Sequence, residues 1–309
     1  MTERQLPDPA QLAEAIEGAV PELRPVGPLR SIGAGFYSFA FETRSGALFR
    51  VARQPEAAER HDVEMRVLPL LAPLLWVEVP VPRWRLPPSS SMPYGAIGYR
   101  RIEGTSPTQE LLTERGSSGL AEDIGRFLAA LHNLEQSQFE LLLPATGDPR
   151  PGFLDLREAV APSLRERLEP GELRRVESWW EDVLADDTLR AFEPVLCHGD
   201  PWYGNLLVEE ATARLVGVVD WEHAHIGDPA FDLATQLHLG PEFTRAVLIG
   251  YKAGGRRTGE ALRARIQRYS ELREFYGVRY AATYTDEKEM NDSIAKLRRG
   301  PILAPGQPL

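Results

Sequence analysis

Val195-Leu-Cys-His-Gly-Asp-Pro-Trp-Tyr-Gly-Asn-Leu-Leu-Val208, followed by Gly217-Val-Val-Asp-Trp-Glu222, is the stretch that decides how this chain is read. A short apolar run ending at Cys197 delivers an aspartate, Asp200. Asn205 follows five residues later, and a second apolar run, Leu215 to Val219, ends at Asp220. Phosphoryl transfer needs such a set of oxygens: one carboxylate to orient an attacking hydroxyl, and two ligands to hold magnesium against nucleotide phosphates. Taken singly the pieces are weak, because Asp-Pro often starts a turn and an aspartate often ends a strand.

The downstream segment Ile226-Gly-Asp-Pro-Ala-Phe-Asp-Leu-Ala234 adds a third piece. In this order the three motifs resemble the catalytic and metal-binding loops of the aminoglycoside phosphotransferase family, relatives of the protein kinases. The resemblance runs from about Leu29 to Leu239 and thins out beyond. It implies an α+β, protein-kinase-like two-lobed fold with the active site in the cleft. Residues 1–104 would form a nucleotide-binding lobe, a small antiparallel sheet with one packed helix. Residues 105–309 would form a mostly helical lobe carrying the catalytic loop, metal site and acceptor site. It further implies Asp200 as the catalytic residue and Asn205 and Asp220 as magnesium ligands. His198 would be a scaffold residue, and Asp232 a buried support that hydrogen-bonds the catalytic loop. Trp221 reads as packing. Glu222 reads as either a supporting or a substrate-facing carboxylate.

The nucleotide side is carried by Ser31-Ile-Gly-Ala-Gly-Phe-Tyr-Ser-Phe-Ala-Phe41, where Gly33 and Gly35 let backbone amides approach phosphates. A lone pair of glycines also suits a hairpin turn. Kinases usually grip the phosphates with a lysine in the third strand, yet residues 1–104 contain no lysine. Leu48-Phe-Arg-Val-Ala-Arg53 puts Arg50 at that position, and arginine holds phosphate bidentately. Glu64, on the following helix, is expected to pair with Arg50. Ala96 to Gly104, with Tyr99 and Arg101, resembles the hinge whose backbone reads adenine, so ATP, or GTP, is the expected donor.

The resemblance implies a small-molecule hydroxyl as the acceptor. The family resemblance puts an aminoglycoside-type antibiotic first, with choline, homoserine, a sugar or a macrolide as alternatives on the same fold. Acidic residues gather at Glu181, Asp182, Asp186 and Asp187 and again at Asp286, Glu287 and Glu289; Asp182 and Asp186 are candidate contacts for a cationic acceptor. Trp179-Trp180 and Phe275-Tyr276 would either wall an apolar acceptor or belong to the core. Two other readings stay open on the residues: a catalytically silent nucleotide-binding module, and a metallohydrolase built from His198, Asp200, His223, His225 and Asp228.

Bulk properties set the frame. The chain has 309 residues, enough for one large domain or two lobes, with 43% hydrophobic and 26% charged residues and a net charge of −10. That acidity argues against nucleic-acid or anionic-membrane partners. One cysteine, Cys197, cannot form an internal disulfide and reads as a buried, inert thiol. The start of the chain lacks a signal-peptide layout, and prolines cut the longest apolar region, Leu68 to Val81. A cytoplasmic protein, monomeric or homodimeric, is expected. Periodicity predicts strands at 29–32, 37–43, 47–52, 79–85 and 96–102. Helices are predicted over 57–68, 120–134, 153–168, 171–189, 230–239, 242–254, 259–275 and 286–299, with a poorly ordered tail from Gly300.

Overall fold

The computed structural model describes residues 6–35, 37–113 and 117–304, so Phe36 in the glycine segment and the last five residues of the tail lie outside the description. Contacts divide the chain into two compact units. The first comprises residues 1–120, 137–143 and 199–224; the second comprises 121–136, 144–198 and 225–309.

The first unit opens with helix α1 (Pro9–Ala19), capped by Asp8, whose carboxylate accepts from the Ala10 amide. Strands β1 (Arg30–Ala34), β2 (Ser38–Glu42) and β3 (Ala47–Ala52) follow, then helix α2 (Pro55–Leu71), β4 (Trp84–Leu86) and β5 (Ala96–Arg100). The five strands form one antiparallel sheet in the order β1-β2-β3-β5-β4. Alternation along β2 and β3 sends Phe39, Phe41, Phe49 and Val51 into a core shared with Leu12 and Ile16 of α1. Register places Arg50 opposite Ala40 on one side and Ile97 on the other, in the middle strand of the sheet.

Two expectations shift here. The helix predicted over 57–68 runs as α2 from Pro55 to Leu71, with Pro69 inside it. The predicted strand over 79–85 shrinks to β4, because Pro80 and Pro82 remove ladder donors; Glu78 instead bridges to Gly217.

Burial in α2 has a measurable consequence. His61 is 1% exposed, its Nε2 lies 3.0 Å from Ser38 Oγ, and burial pushes its pKa down to about 3. The unfolded chain then binds one more proton than the native chain between about pH 3 and 6.5, so stability falls as pH drops through that window. Unfolding titrations should show a slope of about 1.4 kcal/mol per pH unit near pH 5 that His61→Gln lacks. An unchanged slope in that variant would mean His61 is protonated in the fold.

Helices α3 (Gln109–Thr113) and α4 (Ser117–His132) come next. Helix α5 (Arg150–Arg167), α6 (Pro170–Ala185) and a 3₁₀ turn at Asp187–Arg190 belong to the second unit. Strand β6 (Val195–Cys197) and β9 (His225–Gly227) pair antiparallel there, while β7 (Leu206–Val208) and β8 (Leu215–Val218) pair within the first unit. Helices α7 (Pro229–Ala234), α8 (Pro241–Ala253), α9 (Glu260–Glu271), α10 (Arg273–Tyr284) and α11 (Glu287–Arg299) complete the chain. The helix predicted over 259–275 is thus two helices. They break at the fully buried Leu272, and α10 extends nine residues beyond the predicted end.

The core of the second unit gathers Leu156, Val160, Val183, Phe275, Val278 and Ile294 with Trp179 and Trp180. The two tryptophans and Phe275 therefore serve packing, the second of the two roles open to them. No described helix is long and apolar enough to cross a membrane.

Candidate active site

The loop that carries Asp200 starts from a glycine that must be glycine. Gly199 has φ 87°, and a Cβ there would lie 2.1 Å from the His223 carbonyl oxygen. This lets the chain after Gly199 press against the loop after Asp220. Asn205, 7% exposed, closes the loop: its Nδ2 donates to the Asp200 carbonyl at 2.9 Å and to Asp200 Oδ2 at 3.3 Å. The Val219 amide in turn donates to the Asn205 carbonyl at 2.9 Å, tying this loop to the residue before Asp220. Asp220 itself has φ 67°, a left-handed conformation that aspartate tolerates better than most side chains.

Arg50 sits among three carboxylates. Its Nη1 donates to Glu64 at 2.7 and 2.9 Å, and its Nη2 lies 3.2 Å from Asp220 Oδ1 and donates to Glu222. Burial works against the guanidinium charge, yet Glu64 and Asp220 raise its pKa, so it stays cationic. Burial pushes the Glu64 carboxyl up as well, and burial with the charge of Asp220 pushes Glu222 up to about 7.

A second guanidinium, one helical turn before Glu64, escaped the sequence reading. Arg60 of α2 donates to the Glu222 carbonyl, reaches His223 Nδ1 at 3.5 Å and the Tyr37 hydroxyl at 3.3 Å, and lies 4.4 Å over the Tyr37 ring. It thereby joins the glycine-bearing turn to the segment after Asp220. A surface arginine on a helix gives no sequence signal of such contacts.

Part of this set lines one cavity of about 570 Å³, within the first unit; Arg60, Glu64 and Asp200 are not in its wall. Gly33, Gly35, Arg50, Tyr99, Arg101, Asn205, Asp220 and Glu222 all contribute to its wall, with apolar surface from Ile32, Leu48, Ile102, Leu207 and Val219. Arg101 is partly committed elsewhere: its amide donates to the Gly46 carbonyl at 3.3 Å and its guanidinium to Glu42 at 2.9 Å. Tyr99 is buried in β5, with its pKa pushed up to about 12 by burial.

The remaining expected residues lie in the second unit. His198 is fully buried, and its amide donates to Asp232 Oδ2 at 2.8 Å. The same oxygen lies 3.2 Å from His132 Nε2, whose Nδ1 lies 2.9 Å from the Tyr251 hydroxyl. Burial pushes Asp232 up, but its hydrogen bond with His132 and the nearby imidazoles hold it below the usual carboxylate range. Asp182 is exposed on α6. Asp186 caps the following turn, accepting from the Thr188 amide at 2.9 Å. Asp286 likewise caps α11, and Glu287 pairs with Arg167.

The metallohydrolase set is not brought together. Among the described residues, the group of three or more possible ligand atoms within 4.8 Å of one another is His132, Cys197 and Asp232. It shares no member with that set, and both nitrogens of His132 already face Tyr251 and Asp232.

Comparisons with known proteins agree with this fold. Viomycin phosphotransferase of Streptomyces vinaceus is 28% identical over 208 residues, covering 64% of this chain and 68% of the relative. An uncharacterized protein of Bacillus subtilis (strain 168), YcbJ, is 25% identical over 258 residues, covering 78% and 79%. Among solved structures, the GDP complex of wild-type aminoglycoside 2'-phosphotransferase-IIIa superposes with a TM-score of 0.83 at 19% identity, covering 94% of this chain and 98% of that one. The macrolide 2'-phosphotransferase MphH from Brachybacterium faecium superposes with a TM-score of 0.69 at 24% identity, covering 96% and 99%. The model of the phosphotransferase enzyme family matches residues 28–269, and on that span, which contains the whole cavity and both loops, the chain belongs to this family.

Proposed function

We propose that this protein transfers the γ-phosphoryl group of ATP or GTP to a hydroxyl of a small molecule, with a polycationic antibiotic of the aminoglycoside or viomycin type as the leading acceptor. One observation carries the reading. A single cavity gathers two glycines, a buried arginine and the oxygens of Asn205 and Asp220, and Asn205 is hydrogen-bonded to Asp200. The names of relatives that act on viomycin or were solved with GDP support the acceptor and donor classes.

In this reading residues 1–104 bind the nucleotide and residues 105–309 carry the chemistry. The base lies against Ile102, Leu48 and Leu207, and the phosphates reach the backbone around Gly33 and Gly35. Arg50, held by Glu64, faces the phosphates; Tyr99 and Arg101 shape the hinge side. Asp200 orients the acceptor hydroxyl and takes its proton late, as bonding to phosphorus develops. Asp232 fixes the backbone at His198, two residues before Asp200.

The donor set suits a hard cation: Asn205 offers a carboxamide oxygen, and the Asp220 carboxylate, 39% exposed, faces the cavity. Asn205 and Asp220 would hold Mg²⁺, with Glu222 beside them. When bound, the ion offsets charge on the transferring phosphoryl group.

The test is transfer from labelled Mg·ATP and Mg·GTP to aminoglycosides, viomycin, macrolides, amino alcohols and sugars. Chelation by EDTA should lower the rate below about 1%, and added Mg²⁺ should restore it. A rate indifferent to chelation, or nucleotide bound but never turned over with any acceptor, would overturn the reading; the second outcome would mark a nucleotide-binding module.

A further inference from the structure

The loop between Asp200 and Asn205 leaves a tryptophan in water. Trp202 is 39% exposed, whereas Trp179, Trp180 and Trp221 are almost fully buried. The exposed indole is nonetheless seated. A Cβ added to Gly204 would meet its Cζ2 at 2.3 Å and its Cη2 at 2.6 Å, so the ring rests where only a glycine leaves room. Its other neighbour is the Tyr203 ring, 4.8 Å between centroids at 59°. The Gly204 carbonyl is fixed in turn by the Ser106 hydroxyl at 3.1 Å. Gly204 also lines the cavity that holds Asn205 and Asp220.

An immobilised aromatic face beside a polar site is what ring-shaped polar ligands use. The C–H face of a sugar stacks on it, and an ammonium group nearby is drawn to its π-electrons. Two residues of chain span at most about 7 Å, so a ring on Trp202 could present its own or an adjacent hydroxyl to Asp200.

We propose that Trp202 is the acceptor platform and a specificity-determining residue. It selects acceptors whose hydroxyl is borne on or beside a ring, such as an aminoglycoside, a macrolide sugar or a cyclic peptide antibiotic, over a compact acyclic alcohol such as homoserine. The inference rests on Asp200 facing the acceptor.

The experiment compares the wild type with Trp202→Ala and Trp202→Phe. Binding of kanamycin, viomycin and a macrolide to the Mg·GDP-loaded protein is measured by calorimetry, beside nucleotide affinity and, for any acceptor turned over, KM and kcat. Trp202→Ala should weaken at least one ring compound about tenfold, Trp202→Phe should stay within about threefold, and nucleotide affinity should move less than about twofold. The effect should fall on KM, with kcat largely kept. Equal binding of the ring compounds by wild type and Trp202→Ala would overturn the assignment. So would binding of none of them by the wild type, or transfer to homoserine alone. Failure of the phosphotransferase reading looks different: the wild type would neither bind nucleotide nor release labelled phosphate from it.

Discussion

Replacing Asp200 by alanine is expected to lower phosphoryl transfer by roughly 10² to 10⁴-fold while nucleotide affinity moves less than about twofold. The structure makes this a clean substitution. Asn205 is anchored mainly on the Asp200 main-chain carbonyl, at 2.9 Å, and that bond does not depend on the side chain. The His198 amide is held by Asp232, and the turn at Gly199 is set by its own φ of 87°. The loop should therefore survive the loss of the carboxylate, leaving Asn205 and Asp220 in place. Single-turnover rates measured beside equilibrium nucleotide titrations decide the matter. A parallel loss of nucleotide affinity, or a rate above about a tenth of wild type, would show that the carboxylate does not orient the acceptor.

Arg50→Met should be strongly destabilising, by about 3 to 5 kcal/mol in chemical denaturation. Arg50 is 8% exposed and, among the described residues, is the cation bonded to Glu64, which is itself 2% exposed. Without it, Glu64, Asp220 and Glu222 lose the cation bonded to them, and the charge of Arg60, which also lowers the pKa of Glu64 and Glu222, offsets only part of their repulsion. The pair variant Arg50→Met/Glu64→Leu should recover part of the loss, because replacing both partners removes the stranded charge. Arg50→Lys keeps the charge but not the fork that reaches Glu64 on one side and Asp220 and Glu222 on the other, so it should fall between. Unfolding of Arg50→Met within about 0.5 kcal/mol of wild type would mean the cluster contributes little to the fold.

Much of this site is legible because it is local. His198 to Asn205 is one loop and Asp220 follows the β7–β8 hairpin that comes next, so spacing along the chain already fixes their neighbourhood. The link from Arg50 to Glu64 follows from a strand and the helix after it. Arg60 was silent because its partners, Tyr37, Glu222 and His223, come from two distant segments that meet only in the fold. The acidic runs are ambiguous for the opposite reason. Asp186 and Asp286 are caps whose oxygens serve amides two and three residues ahead, a local duty that resembles a binding patch when read as charge alone. The break at Leu272 was hidden as well, since no glycine or proline marks it and the helical periodicity runs straight through.

The single cysteine has a practical consequence. Cys197 is 0% exposed in β6, with its sulfur against the carbonyls of Val195 and Asp228, and burial raises its pKa. Its thiol can meet a reagent only when the packing around β6, including His132, Asp232 and the start of α7, opens. The chain therefore carries its own clock for that opening, three residues from Asp200 and with no labelling site to engineer. The rate at which a disulfide reagent consumes the thiol, with and without nucleotide, reads how firmly the ligand holds the strand that leads into the Asp200 loop.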